Sequence, residues 1–120
     1  MQSSSFTIKA FGIYVLLTGI GLLVAPNLTL SPLGFAATSE IWIRVLGALA
    51  AIVGYYYWAC GRADAKAFFR ATIPGRLGFC ALCMALVALA GAPLPLLVFG
   101  LVDVLGAAWT FIALRNEERT

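Results

Sequence analysis

Phe99 to Arg115, FGLVDVLGAAWTFIALR, decides how the rest of the chain is read. Asp103 stands near the middle of this otherwise apolar run. A carboxylate in hydrocarbon costs roughly 2.5–3.5 kcal/mol even on lenient insertion scales, so it must face protein rather than lipid. Helical spacing puts Leu96, Phe99, Gly100, Gly106, Ala107 and Thr110 on its side of the helix. Small and polar residues on one face let helices approach closely and bond across the contact. The stretch therefore reads as the last helix of a membrane bundle. Its acid needs a partner, and Arg44 is the only other charge well inside an apolar run.

Composition agrees with lipid as the solvent. Of the 120 residues, 62% are hydrophobic and 11% charged, against roughly 45–50% and about 25% in soluble domains. The chain is short enough for a single domain, residues 1–120. A net charge of +3 raises nucleic acid as a partner, but the basic residues sit at helix ends without interleaved aromatics, so no nucleic acid is expected. His is absent, which excludes imidazole metal sites and His-based acid–base chemistry. Three Cys cannot all pair, and none lies in a loop that reads as extracellular, so no disulfide framework is expected.

Four spans follow, at about 6–25, 41–59, 73–91 and 95–114. The first is broken only by Lys9 and is long enough for a ~30 Å core. It is longer than the apolar part of a signal peptide, and a cut near Ala36 or Ala37 comes late, so it reads as an anchor. Tyr14, Thr18, Gly21 and Ala25 form its expected packing stripe. Pro26 to Glu40 reads as a loop, with Thr38 or Ser39 capping the next helix. In the second span Arg44, Gly47, Ala48, Ala51, Tyr55 and Trp58 share a face. The run Tyr55-Tyr56-Tyr57-Trp58 suits an aromatic belt at the headgroups, and Tyr55 is also a candidate pocket residue because it shares the stripe of Arg44. Gly61 to Thr72 predicts a short interfacial helix, aromatics down and basic groups towards phosphates. Pro74 opens the third span, whose small stripe is Gly78, Ala81, Ala85, Ala88 and Ala92.

Lys9, Arg62, Lys66, Arg70, Arg76, Arg115 and Arg119 fall on one side of this arrangement and Arg44 alone on the other. The positive-inside rule places both termini in the cytoplasm and the protein in a plasma membrane, as in a bacterial inner membrane. Arg44 and Asp103 then differ in depth by roughly 6–9 Å, within reach of an Arg side chain. A buried Arg44–Asp103 pair between the second and fourth spans is the expectation. It either fixes helix register or, with Tyr55 and Thr110, lines a polar core for a ligand. Arg76 is assigned to the inner boundary, too far away to join it.

Cys80-Ala81-Leu82-Cys83 has the CxxC spacing of thiol oxidoreductases. In a helix rich in small residues, however, Cys also serves as a compact apolar filler. The topology sets both thiols beside a reducing compartment, so packing is the expected role and redox chemistry the alternative.

Arg44-Val45-Leu46-Gly47 opening the second span, Gly75-Arg76-Leu77-Gly78 opening the third and the Asp103 helix closing the chain resemble the small four-span DoxX-like proteins. The resemblance implies a four-helix membrane bundle and a link, in some members, to thiol or quinone redox. The expected fold is thus all-α, an antiparallel four-helix membrane bundle with an interfacial helix in the inner loop. The expected function is non-catalytic: binding of a lipophilic small molecule, or service as an accessory subunit in a homo-oligomer or larger membrane complex, with no cofactor. The alternatives are a DoxX-like oxidoreductase using Cys80 and Cys83, with quinone as its cofactor, and a small oligomeric transporter.

Overall fold

The computed structural model describes residues 3–37 and 39–118, so Thr38 and Arg119 lie outside the described residues. Those described form helices, turns and short irregular connections, with no strand among them. The helices are α1 (Ser4–Val24), α2 (Pro26–Leu30), α3 (Trp42–Arg62), α4 (Lys66–Ala90) and α5 (Leu96–Glu118), with one 3-10 turn at Ser31–Leu33. All but α2 are long and apolar enough to cross a membrane. α1 packs along α3 and α4 along α5, while α1 against α5 joins the two pairs. Outward faces remain apolar: Leu82 is 64% and Leu89 87% exposed, which suits lipid and not water.

Glycine sets the closest helix contact. Gly12 and Gly19 of α1 face Gly54 and Gly47 of α3, and a Cβ on Gly47 would lie 2.6 Å from the Gly19 carbonyl oxygen. A Cβ on Gly54 would lie 2.7 Å from the Gly12 carbonyl oxygen. The two backbones touch because neither carries a side chain there, the small-residue packing that membrane helices use where hydrophobicity cannot drive association. The buried stripe of α1 is therefore Ile8, Phe11, Gly12, Gly19 and Leu22, in place of the expected Tyr14, Thr18, Gly21 and Ala25.

Two other expectations are corrected. Gly61 to Thr72 makes no separate interfacial helix: its first residues end α3, Ala63–Ala65 turn, and Lys66 begins a helix that continues through Pro74. Proline in a helix interior removes one hydrogen bond, a loss that neighbouring groups make good in membrane helices. The turn has Asp64 at φ 52°, a left-handed conformation that Asp tolerates better than most residues. Secondly, Gly78, Ala81, Ala85 and Ala88 of α4 face outward, and added Cβ atoms at Gly75 and Gly78 would meet nothing within 4 Å. In the connection after α1, expected as plain loop, α2 and the 3-10 turn form instead. α3 begins without a side-chain cap, so Ser39 does not serve as one.

Candidate functional site

The buried charge of the bundle is Arg76, only 2% exposed. Because α4 starts at Lys66 and not at Pro74, Arg76 lies about 15 Å along the helix rather than at its mouth. Its Nη2 donates to Thr72 Oγ1 and to Thr110 Oγ1, each at 2.9 Å, and Nε makes a long bond of 3.4 Å to the Thr72 carbonyl. Thr72 passes its own proton to the Phe69 carbonyl at 2.7 Å. Thr7 likewise donates to the Ser4 carbonyl at 2.7 Å, so the 2.9 Å contact between Thr7 and Thr110 must have Thr110 as donor. A directed chain results, from Arg76 through Thr110 and Thr7 to Ser4.

Aromatic faces complete the enclosure. The guanidinium carbon is 4.7 Å from the Phe11 ring centre and 5.8 Å from that of Tyr57, cation–π distances. Among the described residues no carboxylate lies within 4 Å of Arg76; Asp103, half-buried on α5, acts on it through space. Both protons of Nη1 are left without an acceptor in a buried site. An unmade bond of this kind carries a desolvation cost of about 1–3 kcal/mol, more for a charge.

On the outer side of Phe11 and Gly106 a shallow, open depression of about 460 Å³ runs between α1 and α5, lined by Ala10, Phe11, Tyr14, Val102, Leu105, Gly106 and Trp109. Phe11 and Gly106 form its floor in front of Arg76. A Cβ on Gly106 would stand 2.8 Å from Phe11 Cδ1 and 3.1 Å from Arg76 Nη1. Glycine at 106 thus lets Phe11 and the guanidinium pack against α5, and Arg76 itself stays behind the lining of the groove.

The expected Arg44–Asp103 pair does not form. Arg44 is exposed at the start of α3, where Nη1 donates to the Leu23 and Val24 carbonyls at 2.6 and 3.1 Å. Those carbonyls end α1 and have no helical partner, so a cation satisfies them well. α3 packs on α1, away from α5, which keeps Arg44 out of reach of Asp103. Tyr55 is 58% exposed on the outer face of α3, apart from Asp103 and Thr110; its neighbour Tyr57 turns inward instead, 5.2 Å from Phe68 and 5.5 Å from Phe11. Thr110 is wholly buried beside Arg76.

Cys83 is buried and Cys80 half-buried, and neither is in a disulfide. A Cβ on Gly100 would lie 3.3 Å from Cys80 Sγ, so this thiol packs between α4 and α5. Among the described residues no group of three His, Cys, Asp or Glu is gathered as a metal would need.

The charged ends of α4 and α5 extend beyond the apolar stretches and meet α1. Lys66 Nζ donates to Glu117 Oε1 at 2.5 Å and to Ser4 Oγ at 3.1 Å, while the Ser4 backbone N–H donates to Glu117 Oε2 at 3.0 Å. Partial desolvation raises the Glu117 carboxyl, but hydrogen bonds from Lys66 and Ser4 outweigh it and leave the group below its ordinary value. The bond to Glu117 holds the Lys66 ammonium above its own.

Arg76 was expected at the inner boundary, and its burial was missed. The signal available was Thr72 four residues before it on one helix face; the threonines that α1 and α5 bring to the same level are seen only in the structure. No family model, curated protein or solved structure matches the chain.

Proposed function

We propose that this is a non-catalytic integral membrane protein that binds a lipophilic small molecule in the groove between α1 and α5. The observation that supports it is the juxtaposition of that groove, walled by Tyr14, Leu105 and Trp109, with a buried guanidinium whose Nη1 is unpartnered. Binding sites are mostly apolar with a few placed polar groups, and an ionisable residue inside a membrane marks function before structure. The proposal includes an antiparallel bundle with both termini cytoplasmic, as the basic residues at one end favour. A DoxX-like relationship belongs to it too, resting on Arg44–Gly47 and Gly75–Gly78.

Mass spectrometry of protein purified in mild detergent tests the reading. The parent should carry a lipophile in near-stoichiometric amount, and Gly106→Leu, which fills the groove floor, should lose it. Protein that purifies empty, or Gly106→Leu that retains the same lipophile, contradicts it.

A second reading, an accessory subunit, draws on α4, where Gly75, Gly78, Ala81 and Ala85 lie exposed. Small residues facing outward suit a further helix better than lipid. Cross-linking in native membranes would then trap a larger complex through α4.

A further inference from the structure

α1 has 21 residues, which at 1.5 Å per residue makes about 31 Å, the thickness of a hydrocarbon core. Its last turn therefore lies at headgroup level, and α3 begins beside it at Trp42. At this corner a cavity of about 430 Å³ opens, with Asn27, Leu28, Ser39, Glu40 and Arg44 in its lining. It shares no residue with the depression between α1 and α5. The cavity brings together one cation and one anion, while Val24, Leu28, Ile41 and Trp42 next to them are exposed apolar side chains. A polar cup bordered by bare apolar groups, with an indole at the boundary, suits an amphiphile whose chains run into the bilayer.

Arg44 is set for an oxyanion. Its Nη1 is tied to the Leu23 and Val24 carbonyls, which fixes the guanidinium and leaves the edge formed by Nε–H and Nη2–H outside those bonds. Two parallel N–H groups on one edge match two oxygens of a phosphate. Glu40, four residues earlier, lies in the same lining and makes no ion pair with Arg44 within 4 Å. It is already engaged within the chain, but a carboxylate has about four lone-pair sites and can take a further donor. A head that is only anionic would set its charge against Glu40 with nothing to balance it. A quaternary ammonium has no N–H to give, whereas a primary ammonium has three. From these residues we infer that the cavity binds the phosphoethanolamine headgroup of a membrane lipid, its phosphate on the Nε–Nη2 edge of Arg44 and its ammonium on Glu40.

The site stands whether or not the depression between α1 and α5 holds a ligand. The protein in dodecyl maltoside micelles is titrated with dioleoyl phosphatidylethanolamine, phosphatidylcholine and phosphatidylglycerol, and bound lipid is counted by native mass spectrometry. Binding of the ethanolamine lipid about ten-fold tighter than of the other two is the expected result. Glu40→Gln should bring the ethanolamine lipid down to the level of the choline lipid and leave the latter unchanged. Arg44→Ala should weaken all three about ten-fold. Should Arg44→Ala fail to fold, Arg44→Lys, which keeps the charge and loses the fork, takes its place with a smaller loss in the same direction. Glycerophosphoethanolamine, the same head without chains, should compete only at concentrations about a hundred-fold higher than the lipid. Competition at equal concentration would make the ligand a soluble phosphodiester and overturn the lipid assignment. Equal binding of the ethanolamine and choline lipids, tighter binding of the glycerol lipid, or unchanged selectivity in Glu40→Gln overturns the head assignment. Binding that neither Arg44 substitution weakens overturns the site.

Discussion

Replacing Gly47 by Ala isolates the contact on which the α1–α3 packing depends. The new methyl would start 2.5 Å from the Leu23 amide nitrogen and 2.6 Å from the Gly19 carbonyl oxygen, where ordinary contact begins at 3.4 Å. The helices must part by about 0.8–0.9 Å, and the opposing atoms are backbone that no rotamer change can move. Overpacking costs typically 1–3 kcal/mol, and a rigid partner argues for about 3. The better helix propensity of Ala returns roughly 1 kcal/mol, leaving a net loss of about 2. Gly78→Ala is the matched control, because its Cβ meets nothing within 4 Å; it should be neutral or gain up to about 1 kcal/mol. Reversible unfolding by dodecyl sulfate titration in dodecyl maltoside micelles, followed by circular dichroism, measures both. If Gly47→Ala proves as stable as Gly78→Ala, the backbone contact is not what holds these helices.

Three further outcomes are expected from the same unfolding assay. Thr110→Val keeps the shape but removes the acceptor for Arg76 and the donor to Thr7; it should cost about 1–3 kcal/mol, whereas an unchanged value would mean the polar chain contributes nothing. Arg44→Ala should cost about 1 kcal/mol through the uncapped α1 carbonyls. Combined with Asp103→Asn, it should add within about 0.5 kcal/mol, and charge-swapped Arg44→Asp with Asp103→Arg should rescue nothing. Glu117 gives the pH dependence: a carboxyl held below its ordinary value adds stability that is complete above the usual carboxylate range and disappears as pH falls through the folded value. The parent should therefore lose stability more steeply than Glu117→Gln below about pH 4, while between pH 6 and 8 it keeps a constant advantage with no difference in slope. Parallel curves across the acid range would dismiss the Ser4–Lys66–Glu117 contact as a source of stability.

Span number and helical class were readable because hydrocarbon thickness and the cost of unpaired backbone groups act on composition and length alone. Which helices touch was not. Small residues mark several faces of this chain, and Gly78, Ala81 and Ala85 look as suited to packing as Gly47 and Gly54. Only the partner backbone distinguishes them. Arg44 was misplaced because a charge near a helix start can turn either to a facing acid or to the open carbonyls of the preceding helix, and the nearer carbonyls won. Arg76 was set at the boundary because Pro74 looked like a helix start. The continuation of α4 through that proline moved the guanidinium into the core. Thr110 could be assigned to the buried face of its helix from spacing, yet its partner could not be named.

Photolabelling tests the central claim, a lipophile held between α1 and α5 over Arg76, most directly. The protein in liposomes is irradiated with a long-chain lipophile bearing a mid-chain diazirine, and adducts are mapped by peptide mass spectrometry. Adducts concentrated at residues 10–14 and 102–109, and competed by the unlabelled lipophile, are the predicted result. Adducts spread evenly over lipid-facing residues such as Leu82 and Leu89, with no competition, would contradict it.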